Sequence, residues 1–116
     1  MRLKELTQKL SLQVLTPEVP GNDPEIAGGY VSDLLSDVLA HAPKNGILVT
    51  VQVHLNVIAV AVHAELAAIV FGSGRVPDDA VKAKAVEEGV ALYGSEKSAF
   101  DIVGRLYELG VRGPQE

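Results

Sequence analysis

ILVTVQVHLNVIAVAVHAELAAIVF, residues 47–71, decides the fold. It opens on ILVTVQV, a β-branched run of strand length. Residues 55–66 follow, rich in Ala and Val with few polar positions, and read as a largely buried helix. AAIVF is a second wholly apolar run. Strands apolar on both faces belong in a parallel sheet shielded by helices on either side. A bilayer span is the competing reading, because Asn45 to Ala64 holds no Asp, Glu, Lys or Arg over 20 residues. Thr50, Gln52, His54, Asn56 and His63 lie inside it, and no cluster of Lys or Arg flanks it to set an orientation. Strand plus buried helix explains the same residues better, so no membrane partner is expected.

Working toward the N-terminus, KNG is a turn and Pro43 stops the helix before it. Ser32 is predicted to cap that helix, with Asp33 in its first turn and Leu34, Leu35, Val38 and Leu39 on its apolar face. Asp33 and Asp37 then share one face at i, i+4. IAGGYV, 26–31, is a short strand, and its adjacent Gly28 and Gly29 mark a bulge or a close backbone approach. TPEVPGNDPE is a loop, SLQVL a strand from Ser11 to Leu15, and residues 2–10 an amphipathic helix carrying Leu3, Leu6 and Leu10.

Toward the C-terminus, GSGRVPDD is a loop, residues 78–88 a helix ended by Gly89, and VALY the last strand. GSEKS leads into a helix over 99–109, with Ser98 as N-cap, Asp101 in a capping-box-like position and Gly110 at its end. The order is α β β α β α β α β α. It predicts a three-layer α/β/α fold with a mainly parallel sheet of four to five strands and right-handed crossovers. One domain over residues 1–112 is expected, with 113–116 a frayed tail.

The chain has 116 residues, a net charge of −5 and 47% hydrophobic residues, which suits one globular domain. The acidic balance argues against nucleic acid. Without cysteine there is no disulfide framework, thiolate chemistry or Cys-based zinc site. MRLKELTQKL offers no apolar run of signal-peptide length, so a soluble cytoplasmic protein is the expectation.

In parallel sheets, ligands collect beyond the carboxyl ends of the strands. Here those ends carry Ser32, Asp33, Gln52, His54, Ser73, Arg75, Ser95, Lys97 and Ser98. Helix N-termini pointing at the same edge favour an anion, so a small anionic, nucleotide-like ligand is one reading of it. The other is that Ser32, Ser95 and Ser98 simply cap helices and fill solvated loops. GSGR, 72–75, is only loosely like a phosphate cradle. Neither the P-loop pattern nor G-x-G-x-x-G is present, and no G-x-S-x-G elbow holds a nucleophile. His54 and His63 lack the i, i+4 spacing of a helical metal pair, and partly buried, hydrogen-bonded histidines are expected instead. No catalytic residue, metal or cofactor is assigned.

DPEIAGGYVSDLLSDVL, 23–39, resembles the DRTGG domain family, and TVQVHLNVIAVAV and SEKSAFDIVGRLYELG resemble its stand-alone members. The family is similar to the N-terminal domain of HPr kinase/phosphorylase, which implies a three-layer α/β fold without the kinase domain or its P-loop. Asp23, Gly28 and Gly29 match the name motif, whereas Pro24 stands where Arg is usual and Ala27 where Thr is usual. That departure removes a guanidinium and a hydroxyl. The domain occurs beside CBS domains in regulated pyrophosphatases and before phosphate acetyltransferase domains. The resemblance therefore implies a regulatory, dimerising module and not a catalyst. For a homodimer, the Gly28–Gly29 strand lets another backbone approach, Tyr30 offers an aromatic anchor, and Leu34 and Leu35 supply apolar area. A ligand sensor using Arg75 and Lys97 is the alternative.

Overall fold

The computed structural model describes residues 1–19 and 21–114; Gln115 and Glu116 of the expected frayed tail lie outside the described residues. The elements follow the expected order: α1 (Leu3–Lys9), β1 (Gln13–Val14), β2 (Gly28–Val31), α2 (Leu35–His41), β3 (Gly46–Thr50), α3 (Asn56–His63), β4 (Ala68–Phe71), α4 (Asp79–Glu88), β5 (Ala91–Gly94) and α5 (Ala99–Glu108). They build one five-stranded sheet in the order β1-β5-β4-β3-β2. β2 to β5 are parallel, and β1 pairs antiparallel with β5, Val14 opposite Tyr93.

β2, β3, β4 and β5 lie side by side in chain order, so right-handed crossovers send α2, α3 and α4 to the same face. The buried side chains show it. Val38, Val57, Ile58, Ala61, Val81 and Ala85 share one cluster with Leu48, Ile69, Phe71 and Leu92. On the other face, Leu3, Leu6 and Leu10 of α1 and its C-cap join Ile102 and Leu106 of α5 over Ile47, Val49, Ala68 and Val70. Each central strand thus splits its apolar run between two cores by simple alternation. β3 and β4 are buried along their whole lengths, as parallel strands covered on both sides must be.

Several boundaries differ from expectation. The strand read over 47–53 ends at Thr50, because residues 51–55 turn into a loop whose path to α3 is closed by the Thr50, Gln52 and His54 side chains. The strand read over 11–15 keeps only Gln13 and Val14. α3 buries Val57, Ile58 and Ala61 but leaves Ala59 and Val62 exposed, so one face is buried and not the whole helix. The uncharged run from Asn45 to Ala64 is divided between β3 and α3. Among the described residues, no helix is long and apolar enough to cross a membrane.

The start of β3 is tightly fitted. A Cβ on Gly46 would lie 2.7 Å from the Pro43 carbonyl oxygen and 2.9 Å from its Cγ. Gly46→Ala is expected to destabilise the fold by about 1–3 kcal/mol through this overpacking. A urea midpoint equal to that of the unsubstituted protein would contradict the fit described here.

Candidate functional site

The nine strand-end residues do not form one site; they divide into two groups. The first closes on itself at the ends of β2 and β3. Asp33 does not enter the first turn of α2, which begins at Leu35 with no side-chain cap. Its Oδ1 accepts from the Thr50 hydroxyl at 2.8 Å and from the Val51 amide at 2.9 Å, sealing the end of β3. Ser32 Oγ accepts from the Leu34 amide, a local turn and not a helix cap. Asp33 and Asp37 therefore share no helix face. Thr50 Oγ1, Gln52 Oε1 and His54 Nδ1 accept in turn from the amides of Gln52, His54 and Asn56. This ladder satisfies the approach to α3 with protein groups, and a carboxylate stands beside it.

The second group is open. The chain leaves β4 for α4 on one face and β5 for α5 on the other, yet the two loops stay tied to each other by backbone hydrogen bonds. Between these loops and the α1–β1 turn lies a groove of about 280 Å³ bordered by Gln13, Gly74, Arg75, Ser95, Glu96 and Lys97. Its backbone is not a phosphate cradle. Ser73 N–H donates to the Lys97 carbonyl, Gly74 N–H to that of Ser95, and Arg75 N–H to that of Gly72. With those amides used, the attraction for an anion rests on the Arg75 and Lys97 side chains, against Glu96. Ser95 accepts from the Lys97 amide, and Ser98 caps α5 by accepting from Asp101. Asp78 caps α4, so an acid already occupies that N-terminus.

All three histidines are exposed, contrary to the expectation of partial burial. Their positions on solvated helix ends and a loop explain it. Among the described residues, no cluster of three or more His, Asp or Glu is placed to hold a metal.

The motif residues also separate. Asp23 sits at the start of α1, where its Oδ1 accepts from the Lys4 amide. Gly28 and Gly29 do permit a close approach, but the backbone that approaches is the chain's own. Gly29 N–H donates to the Arg112 carbonyl at 2.8 Å. A Cβ on Gly28 would meet that same oxygen at 3.0 Å, and one on Gly29 would meet Val111 Cγ1 at 3.2 Å. Tyr30 packs against the core beneath α2, and its hydroxyl donates to Asp37 Oδ2 at 2.9 Å, so it is no free anchor. Leu35 packs against the same core, while Leu34 and Leu39 are exposed.

The exposed aromatics lie elsewhere. Phe100 is 86% exposed and Tyr107 57%, both on the outer side of α5, beside Val31 at 48%. Val31, Val103 and Tyr107 border both a shallow apolar hollow next to Phe100 and a deeper cavity under the tail. The signal was present in the sequence: Phe100, Val103 and Tyr107 recur at i, i+3, i+7, a second stripe beside the buried Ile102 and Leu106.

No protein-family model matches the chain, and no curated protein matches it. Among solved structures it is similar to the CBS and DRTGG domains of the regulatory region of Clostridium perfringens pyrophosphatase, complexed with the activator diadenosine tetraphosphate. The TM-score is 0.67 at 11% identity, over 88% of this chain. The match spans 44% of that structure's chain, less than half its length. At this identity the likeness is one of fold, and it is a DRTGG-like α/β fold.

Asp37 links β2 to α2. Hydrogen bonds from the Tyr30 and Ser32 hydroxyls, and then from His41, hold its carboxyl below the usual aspartate range, and the same bond raises the Tyr30 phenol. A depressed carboxyl stabilises the fold above its unfolded value near pH 4, and the gain disappears as pH falls through the folded value. A raised phenol stabilises below about pH 10, and that gain disappears as pH rises through the folded value. Tyr30→Phe is therefore expected to lower the urea midpoint at pH 7 and to close its gap to the unsubstituted protein at pH 2. An equal gap at both would contradict the linkage.

Proposed function

We propose that the chain is a non-catalytic regulatory module of the DRTGG family, and that it works as a homodimer paired through the face formed by β2 and α5. The observation that carries this reading is the exposed aromatic stripe of α5 set beside the edge strand β2. Apolar patches of this kind on a single chain mark interaction surfaces. Aromatic side chains are enriched at such interfaces, and they carry much of the energy. The area fits a second copy. Phe100 and Tyr107 expose on the order of 250 Å² together, from the usual aromatic range. Val31, Ala99, Val103 and Val111 extend the same surface. A standard partner face of about 800 Å², somewhat over half of it apolar, calls for roughly 450 Å² of apolar surface. The regulatory region that shares this fold supports the role, and the fold-sharing with HPr kinase/phosphorylase N-terminal domains implied by the sequence fits it.

Sedimentation over 1–100 μM, about the range in which modest interfaces form, is expected to show a species of twice the 12.2 kDa chain mass. Tyr107→Glu places a charge on the exposed face and is expected to raise the dimer dissociation constant at least about tenfold with its thermal midpoint retained. A monomer at every concentration would remove this reading.

A second reading is favoured by the groove where the β4 and β5 loops meet the α1–β1 turn: an anionic ligand held there by Arg75 and Lys97. The similar pyrophosphatase region is complexed with a nucleotide activator, which makes a nucleotide a reasonable probe. ATP and inorganic pyrophosphate at millimolar concentration are expected to raise the thermal midpoint, since a ligand that binds the native state stabilises it by mass action. Arg75→Ala and Lys97→Ala each reduce that rise, and Glu96→Gln increases it. A rise that persists in both alanine variants would place the ligand elsewhere.

A further inference from the structure

Resting on the homodimer reading, we propose that the pairing is reciprocal, with Phe100 of each copy seated in the cavity between β2, α5 and the tail of the other. The cavity is about 250 Å³ and is walled by Gly29, Val31, Val49, Val103, Leu106 and Val111. Apolar cavities of about 150 Å³ admit a benzene ring, so this one has room for a phenyl group. Arg112 and Tyr107 also border it, with the Arg112 guanidinium 3.7 Å from the Tyr107 ring centroid and donating to the Tyr107 carbonyl. Phe100 does not fill it within its own chain, since its ring is 86% exposed.

Gly29 lets the tail pack directly on the strand at one wall of the cavity, since a Cβ there would lie 3.2 Å from Val111 Cγ1. Val111 forms that wall, held by the Gly29 bond to the Arg112 carbonyl and by Val111 N–H donating to the Leu106 carbonyl at 3.0 Å. Knob and hole lie side by side, because Val31, Val103 and Tyr107 border both. A two-fold axis passing between them fills both cavities at once and closes the assembly. A knob and hole on opposite faces would instead build an open chain of molecules. The second copy is thus an occupant that uses the exposed ring and the empty cavity together.

Complementation separates this arrangement from pairing by the same face in some other way. Phe100→Ala removes the knob and keeps the hole. Val111→Trp fills the hole and keeps the knob; Val31→Phe is the second hole-filling variant should Val111→Trp fail to unfold cooperatively. Each variant alone is expected to weaken the dimer at least about tenfold, as loss of a buried aromatic anchor does. An equimolar mixture of knobless and hole-filled chains regains one contact of the two and is expected to form a heterodimer about tenfold tighter than either variant with itself. A mixture no tighter than its components, with the unsubstituted protein still dimeric, overturns the reciprocal seat and leaves the face intact. An unsubstituted protein that is monomeric throughout overturns both.

Discussion

The hydrogen bond from Gly29 N–H to the Arg112 carbonyl, 2.8 Å long, shapes the whole β2 side of the molecule. β2 is a sheet edge, and an edge strand presents backbone donors and acceptors that invite pairing with other chains. The segment after α5 turns back and covers part of that edge. It can come so close because residues 28 and 29 have no Cβ; one on Gly28 would sit 3.0 Å from the accepting oxygen. Of the two, Gly29 borders the cavity on the α5 side of the strand. One constraint, backbone against backbone with no side chain between, thus covers the edge and sets Val111 as a wall of the cavity beside it. Arg112 fastens the segment by stacking on Tyr107 and bonding its carbonyl, which ties the tail to the last turn of α5.

Much of this architecture was legible in the sequence, because it follows from local signals. The apolar runs at 47–50 and 68–71 had to be buried on both faces, and the helix between them had to cover one. The Ser98 cap and the Gly89 stop were legible for the same reason: the groups they satisfy are three or four residues away. Asp33 was not. Ser-Asp before Leu-Leu reads as a helix start, yet the carboxylate is used 17 and 18 residues away, at Thr50 and Val51. Only the folded sheet puts the ends of β2 and β3 side by side. The antiparallel placement of β1 beside β5 is equally non-local, with Gln13 facing Gly94 across the sheet edge.

The glycine pair is the more instructive case. Its physical meaning, a close backbone approach, was readable, but the identity of the approaching backbone was not. Nothing near residue 29 announces that residues 111–113 return to it. Which aromatics are exposed was unreadable for a related reason. Tyr30 sits in the strand, but alternation turns it toward α2, where Asp37 takes its hydroxyl. Phe100 and Tyr107 lie on a helix whose inner stripe is already filled by Ile102 and Leu106, so they face outward. GSGR was legible as a loop, but only the structure shows its amides satisfied by carbonyls of its own chain.

The two candidate surfaces occupy opposite ends of the sheet. The groove with Arg75 and Lys97 opens where the loops after β4 and β5 face the α1–β1 turn, and the aromatic face borders β2 at the far edge. They do not compete for the same atoms. α5 nevertheless borders both. Its N-cap loop supplies Ser95 and Lys97 to the groove, and its outer stripe supplies Phe100 and Tyr107 to the face. Gly72 fixes that loop closely, since a Cβ there would sit 3.3 Å from the Ala99 amide nitrogen. The 94–98 loop runs directly into α5, and Phe100 is the second residue of that helix. The groove and the aromatic face are thus adjoined by the two ends of one structural unit, the 94–98 loop and the outer stripe of α5.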